Sequence, residues 1–335
     1  MPQQKILIIG PAWVGDTIMA QSLFKLLKQR HPDAQLHVLA PDWTASLLSC
    51  MPEVAQSFSL PITHGEFKLF ERLRIGKELR QYHYDQAIVL PNSFKSALIP
   101  WFANIPKRTG YIGEWRYGLL NDARRINPKH KLMIEQYLAL GVLPNDALPE
   151  IRPFPEFVIP KSAQEAVLEK LQIKLNGRPI LALAAGAEFG PSKRWPEEYY
   201  AEVALQKIKE GWEIWLFGSP KDRPITEKIM QLTDGQCQNI SGRTVLSETI
   251  ALISLVDFVI SNDSGLMHVA AALKKKLIAI YGSTSPLFTP PLYKEAKILK
   301  LELDCQPCFK RECPLKHHRC MRDLSPNVVL QAMSQ

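Results

Sequence analysis

Short, unbroken apolar runs alternate with spans of helical spacing, and the whole pattern occurs twice along this chain. "KILIIG" (5–10), "LHVLAP" (36–41) and "DQAIVLP" (85–91) lack the polar alternation of a half-solvated strand. A strand apolar on both faces must be covered on both faces, which is the environment of a parallel sheet between helix layers. Between the first two runs Met19, Leu23, Leu26 and Leu27 recur at helical spacing, with a helix start expected near Gly15–Asp16 and an end at "HPDA" (31–34). The pattern then stops at Pro144, Pro149, Pro153, Pro155 and Pro160, a density that no central strand or helix tolerates. It restarts with the runs at 179–186, 212–219, 257–263 and 276–283 and helical spans at 196–211, 247–256 and 265–273, with a last short helix at 325–333. The fold class is therefore α/β, with two Rossmann-like domains in series.

The 335 residues suffice for two such domains. A hydrophobic fraction of 46% with 22% charged residues is that of a globular protein. The net charge of +8 favours anionic partners without choosing among nucleic acid, a membrane surface and phosphorylated small molecules. The run after Lys5 is too short for a signal peptide, and no run is long enough to span a bilayer, so a cytoplasmic location is expected. In that compartment the six cysteines read as thiols or metal ligands rather than a disulfide framework.

"IIGPAWVGDTIMA" (8–20) nearly spells a phosphate-binding loop, with Gly10 and Gly15 at the right spacing and Thr17 at the hydroxyl position. Asp16 stands where the lysine belongs, and a carboxylate there repels phosphate. The second half is the better anion binder. "SNDSGLMHVAAAL" (261–273) offers free N–H groups at a helix start around Ser264 and Gly265, although Asp263 or Ser264 could serve only as a cap. "AAGAEFGPSKRWPEEYY" (184–200) ends a glycine loop on Lys193 and Arg194, which suits a diphosphate unless it is a solvated basic turn. Asp222 after "FGSP" (217–220) is placed to take ribose hydroxyls or to cap a surface helix. No D-x-D occurs, so no carboxylate pair offers itself to a metal–diphosphate.

Together "GPAWVGD" (10–16), "PNSFKSALIP" (91–100), "RTGYIGEWRYGLLND" (108–122), "GAEFGPSKRWP" (186–196), "NDSGLMHVAAAL" (262–273) and "YGSTSPLFTPP" (281–291) resemble the ADP-heptose:lipopolysaccharide heptosyltransferases. Within that family the blocks lie nearest the enzymes that add the second heptose. The resemblance implies a GT-B fold, two Rossmann-like domains with parallel sheets facing a central cleft. It implies an acceptor domain over 1–155, a nucleotide-sugar domain over 156–320, and a C-terminal helix within 321–335 that could return to the first domain. It also implies an inverting enzyme that moves heptose from ADP-L-glycero-D-manno-heptose to the first heptose of the lipopolysaccharide inner core. No cofactor is required for that transfer. Asp16 then becomes the base and Lys193 its partner in catalysis, with Gly15, Gly186, Ser192, Arg194, Asp222, Asp263, Ser264, Gly265 and His268 around the donor. His268 could instead only pack its helix, and Asp16 could also cap one.

Residues 95–131 carry eight cations against Glu114 and Asp122 alone. That surface suits the phosphates and Kdo carboxylates of a heptosylated Kdo-lipid A acceptor, with Asn92, Lys95, Arg108, Arg116 and Arg124 as contacts. "SALIPWF" (96–102) is core or touches a lipid surface, which makes peripheral attachment to the inner membrane an expectation. Nucleic acid is not expected, because no RNA-binding motif accompanies the charge. The first-heptose enzyme and a GT-B sugar-nucleotide epimerase are the alternatives. Cys305, Cys308, Cys313 and Cys320 form C-x2-C-x4-C-x6-C, which fits no standard zinc finger; reduced thiols, a disulfide and a structural metal all remain open.

Overall fold

The computed structural model describes residues 3–62 and 65–334; residues 1–2, 63–64 and 335 of the expected domain spans lie outside the described residues. The chain divides into two units, Met1–Pro155 and Glu156–Gln335.

In the first unit β1 (Lys5–Ile9), β2 (Gln35–Ala40), β3 (Val54–Ser59), β4 (Gln86–Val89), β5 (Lys107–Tyr111) and β6 (Asp122–Arg124) form one sheet in the order β3-β2-β1-β4-β5-β6. Every pairing is parallel. In the second unit β7 (Ile180–Ala184), β8 (Glu213–Phe217), β9 (Gln238–Asn239), β10 (Phe258–Asn262), β11 (Lys276–Ile280) and β12 (Lys297–Leu299) pair in the order β12-β11-β10-β7-β8-β9, again all parallel. Counted from its own first strand, the second sheet repeats the order of the first. In such sheets the strand order reverses once, and ligands bind at the carboxyl ends of the two strands that flank the reversal. Those strands are β1 and β4 in one unit and β7 and β10 in the other.

β1, β2, β4, β7, β8, β10 and β11 are closed from water along most of their length, as their apolar runs require, whereas the interior β5 begins on the exposed Lys107. Helix Val14–Arg30 follows β1 and begins just before the expected start. Its N-cap position is Trp13, so Asp16 is the third helical residue and not the cap that the sequence also allowed.

The C-terminal helix, Pro326–Ser334, lies where a short last helix was expected. It packs on the second unit: Val329 and Ala332 join the core of Tyr200, Val203 and Ile280, and Lys297 Nζ donates to Ala332 O at 2.8 Å. The cause is apolar: Leu324, Val329 and Ala332 complete a face that helix Glu197–Lys209 leaves open.

In the first unit, helices Leu69–Leu79 and Phe94–Phe102 meet at Gly76, where a Cβ would stand 2.5 Å from Phe102 Cβ and 3.0 Å from Ile99 O. Gly76→Ala is expected to destabilise the protein by about 1–3 kcal/mol through overpacking. An unchanged urea midpoint would show that the two helices can separate without cost.

Candidate active site

At the β7/β10 reversal two loops bring Lys193 and Asp263 together, with Nζ 2.6 Å from Oδ2 and the two side chains only 14% and 6% exposed. Thr284, from the loop after β11, donates to the same Oδ2 at 2.5 Å. Lys193 Nζ also lies 4.9 Å from the Phe189 ring centroid. Asn262, fully buried at the end of β10, holds this constellation in place. Its Nδ2 donates to Ala185 O at 2.7 Å, and its Oδ1 accepts from Trp195 N at 3.1 Å and Tyr200 OH at 3.0 Å. The amide thus ties the loop after β7 to the segment carrying Lys193 and Arg194. Sequence reasoning passed over Asn262 and Thr284, although both lie inside the quoted blocks.

Ser264 is the N-cap residue of helix Gly265–Ala272, and the first N–H groups of that helix have no intrahelical acceptor. Ser264 Oγ lies 3.2 Å from Ser261 Oγ. His268 is 6% exposed on the same helix. Burial holds its imidazole down to about 4, with Lys193 adding to the depression and Asp263 opposing it. The neutral ring can therefore offer a hydrogen bond to this site but not a charge. Arg194 Nε is buried without a hydrogen-bond partner.

Asp222 occupies the N-cap position of helix Arg223–Leu232 and closes a capping box with Ser219, as the cap alternative expected, but at 9% exposure it is buried rather than on the surface. Its Oδ2 accepts from Ser219 N at 2.8 Å and Ser219 Oγ at 2.7 Å. Gly186 makes room for it: a Cβ there would lie 2.3 Å from the Asp222 carboxyl carbon. Ser192 departs from its expected donor role. It is 2% exposed, and its hydroxyl is taken up by Ser283 Oγ at 2.9 Å and by Lys310 O.

The first unit places Asp16 in the opening turn of the helix after β1, directly behind Gly15. A carboxylate there is favoured by the helix dipole. Its field adds to burial in raising the Tyr137 phenol well above its ordinary pKa. Asn92 follows β4, at the other strand of the reversal. Lys95 Nζ donates to Glu66 O at 3.2 Å.

The three arginines expected to meet an acceptor donate to main-chain carbonyls of their own chain. Arg116, 2% exposed, donates to Pro91 O at 2.7 Å, to Asn92 Oδ1 at 3.3 Å and to Tyr111 O. Arg108 donates to Leu119 O and Ile105 O, both at 2.6 Å. Arg124 reaches Ala139 O and Val142 O at 2.6 Å and pairs with Asp122 at 2.7 Å. A guanidinium carries five fixed donors, so it closes several loop carbonyls at once. Lys107, Arg125, Lys129 and Lys131 are the exposed cations of this stretch.

Two outcomes follow from these burials. His268 takes its proton near pH 4 when folded and near 6.5 when unfolded, so between those values the unfolded chain binds more protons. Stability should fall by up to about 3 kcal/mol as pH drops through that window, and His268→Gln should flatten the slope; urea melts between pH 7 and 4 read both. An unflattened slope in the variant would place the acid sensitivity elsewhere. Arg116→Ala should cost about 3–5 kcal/mol in the same melts, because several carbonyls lose a charged donor. A stable Arg116→Ala with weakened acceptor binding would restore the acceptor role.

The sequence profile of glycosyltransferase family 9 (heptosyltransferase) matches residues 72–319. Lipopolysaccharide heptosyltransferase 2 of Salmonella typhimurium is 44% identical, over 98% of this chain and 97% of its own length. Its namesake in Escherichia coli K12 is 42% identical over the same shares. The solved structure of E. coli ADP-heptose lps heptosyltransferase II has a TM-score of 0.89 and 40% identity, covering 99% of this chain and 98% of that one. Two Rossmann-like units in series are the GT-B architecture that the sequence led us to expect. The chain belongs to glycosyltransferase family 9 and is a heptosyltransferase.

Proposed function

We propose that the enzyme transfers heptose from ADP-heptose to the first heptose of the lipopolysaccharide inner core, with inversion at the anomeric carbon. The observation that carries the reading is the Lys193–Asp263 contact at the strand reversal of the second sheet, beside a helix N-terminus. Relatives at 42–45% identity, named lipopolysaccharide or lipooligosaccharide heptosyltransferase 2, support the acceptor assignment.

In this mechanism the second unit takes ADP. Lys193 and the N–H groups of Ser264 and Gly265 meet the diphosphate, while Arg194 Nε gains a partner. Asp222 takes the ribose hydroxyls through the carboxylate oxygen not committed to Ser219. Asp263 orients Lys193 and faces the sugar. The first unit takes the acceptor, with Asp16 as base, Asn92 and Lys95 near it, and the exposed cations Lys107, Arg125, Lys129 and Lys131 toward phosphates and carboxylates. The acceptor hydroxyl attacks the heptose C1 as Asp16 removes its proton. The C1–O bond breaks, its electron pair leaves with ADP, and Lys193 and the helix dipole stabilise the growing charge. Transfer requires no cofactor.

No described helix is long and apolar enough to cross a membrane. The enzyme works at the cytoplasmic face of the inner membrane as a peripheral protein. Phe70, Trp101, Trp115 and Tyr117, exposed at 84%, 45%, 85% and 69%, suit a lipid-anchored acceptor.

Two variants test the division of labour. Asp16→Asn should lower kcat by about 10²–10⁴-fold and leave ADP-heptose affinity level or improved. Lys193→Ala should weaken ADP binding and slow the chemistry together, because the charge it meets grows toward the transition state. Both are read from ADP release that depends on added heptosylated Kdo-lipid A. If Asp16→Asn retains more than about a tenth of kcat with chemistry rate-limiting, Asp16 is not the base.

A further inference from the structure

Residues 300–318 hold neither helix nor strand, a length that compact domains seldom leave unsupported. Yet this loop braces the Lys193 loop at close range. Ser192 N donates to Arg311 O at 3.2 Å, Ser192 Oγ to Lys310 O, and Phe309 N to Ser283 O at 2.7 Å. Gly190, at φ 152°, lets Arg311 O come so near that a Cβ there would stand 2.5 Å from it. Cys305, Cys308, Cys313 and Cys320 all line one cavity of about 20 Å³ beside Ser192 and Ser283. That is room for about one water-sized sphere.

We propose that Cys305, Cys308, Cys313 and Cys320 together bind one divalent thiophilic ion, zinc or ferrous iron, which fastens the 300–318 loop beneath the Lys193 loop. Binding exchanges four thiol protons for the ion and leaves a tetrathiolate of net charge −2. The chain supplies compensation: between Cys305 and Cys320 lie Lys310, Arg311, Lys316 and Arg319, against Glu312. Among the described residues no three His, Cys, Asp or Glu side chains already stand in ligand geometry. Loading therefore turns the thiols inward about their Cα–Cβ bonds, a rotamer change within a cavity that all four already share. His317 and His318 also line it, but His317 Nδ1 is engaged by Arg319 N at 3.0 Å.

The test does not depend on the donor assignment. Full-length protein from medium supplemented with zinc and iron should carry about one ion per chain by elemental analysis. Stripped protein titrated with cobalt(II) should develop a thiolate-to-cobalt charge-transfer band that saturates at about one equivalent. Cys313→Ser and Cys320→Ser should each abolish the band, and His317→Ala should keep it. Chelation should lower Tm. Less than about a tenth of an ion per chain, four thiols titrating freely in the folded protein and no cobalt band would overturn the proposal, as would two disulfides in freshly reduced and repurified protein. If the serine variants do not fold, the cobalt titration of the wild type still decides.

Discussion

A lysine and an aspartate, both nearly closed off from water, face each other across 2.6 Å where two loops leave a parallel sheet. Such a pair is poor value as a source of stability, because desolvating both charges offsets most of their attraction. What it fixes is position. Thr284, after β11, holds the aspartate, and Asn262, which ends β10 just before Asp263, holds the lysine segment, so the loops after β7, β10 and β11 together fix the ammonium. A cation prepared in this way needs no reorganisation when negative charge develops beside it, which is where electrostatic catalysis gains most. The neutral, buried His268 feels both members of this pair without adding a charge of its own.

Most central strands were legible because burial on both faces leaves an unbroken apolar run; the interior β5, "KRTGY", was not, because Lys107, Arg108 and Thr109 break that run. β3, "VAQSFS", and the two- and three-residue β9, β6 and β12 were not, since an edge strand is half solvated and carries no such run. In the second unit Asp263 and Ser264 directly follow β10, while Asp222 and Lys193 lie further along the loops after β8 and β7, so topology fixes which loops carry them. Asn262 was invisible for the opposite reason. It ends an apolar strand, and only the three-dimensional count of its partners reveals what it organises.

Charge misled where position did not. The cations of residues 95–131 read as one surface, but Arg108, Arg116 and Arg124 are turned inward onto main-chain carbonyls. The loops after β4 and β5 leave acceptors that no strand can satisfy, and a guanidinium closes several of them together. Sequence records the sign of a side chain and not the direction of its donors, so a structural arginine and a ligand-binding one look alike. The same ambiguity explains Ser192, whose hydroxyl belongs to the brace beneath the Lys193 loop.

The order of the two sheets also decides how the molecule behaves in company. Parallel sheets assemble from contacts distant in sequence and spend longer with unpaired backbone than helical bundles do. Three of the four outer strands stop after two or three residues, which gives a neighbouring chain almost no ladder to extend. The remaining one, β3, is six residues long, and the polar Gln56, Ser57 and Ser59 interrupt its apolar character. Crowded expression should therefore be tolerated as long as that strand keeps its polar residues, and self-association, if engineered in, would start there.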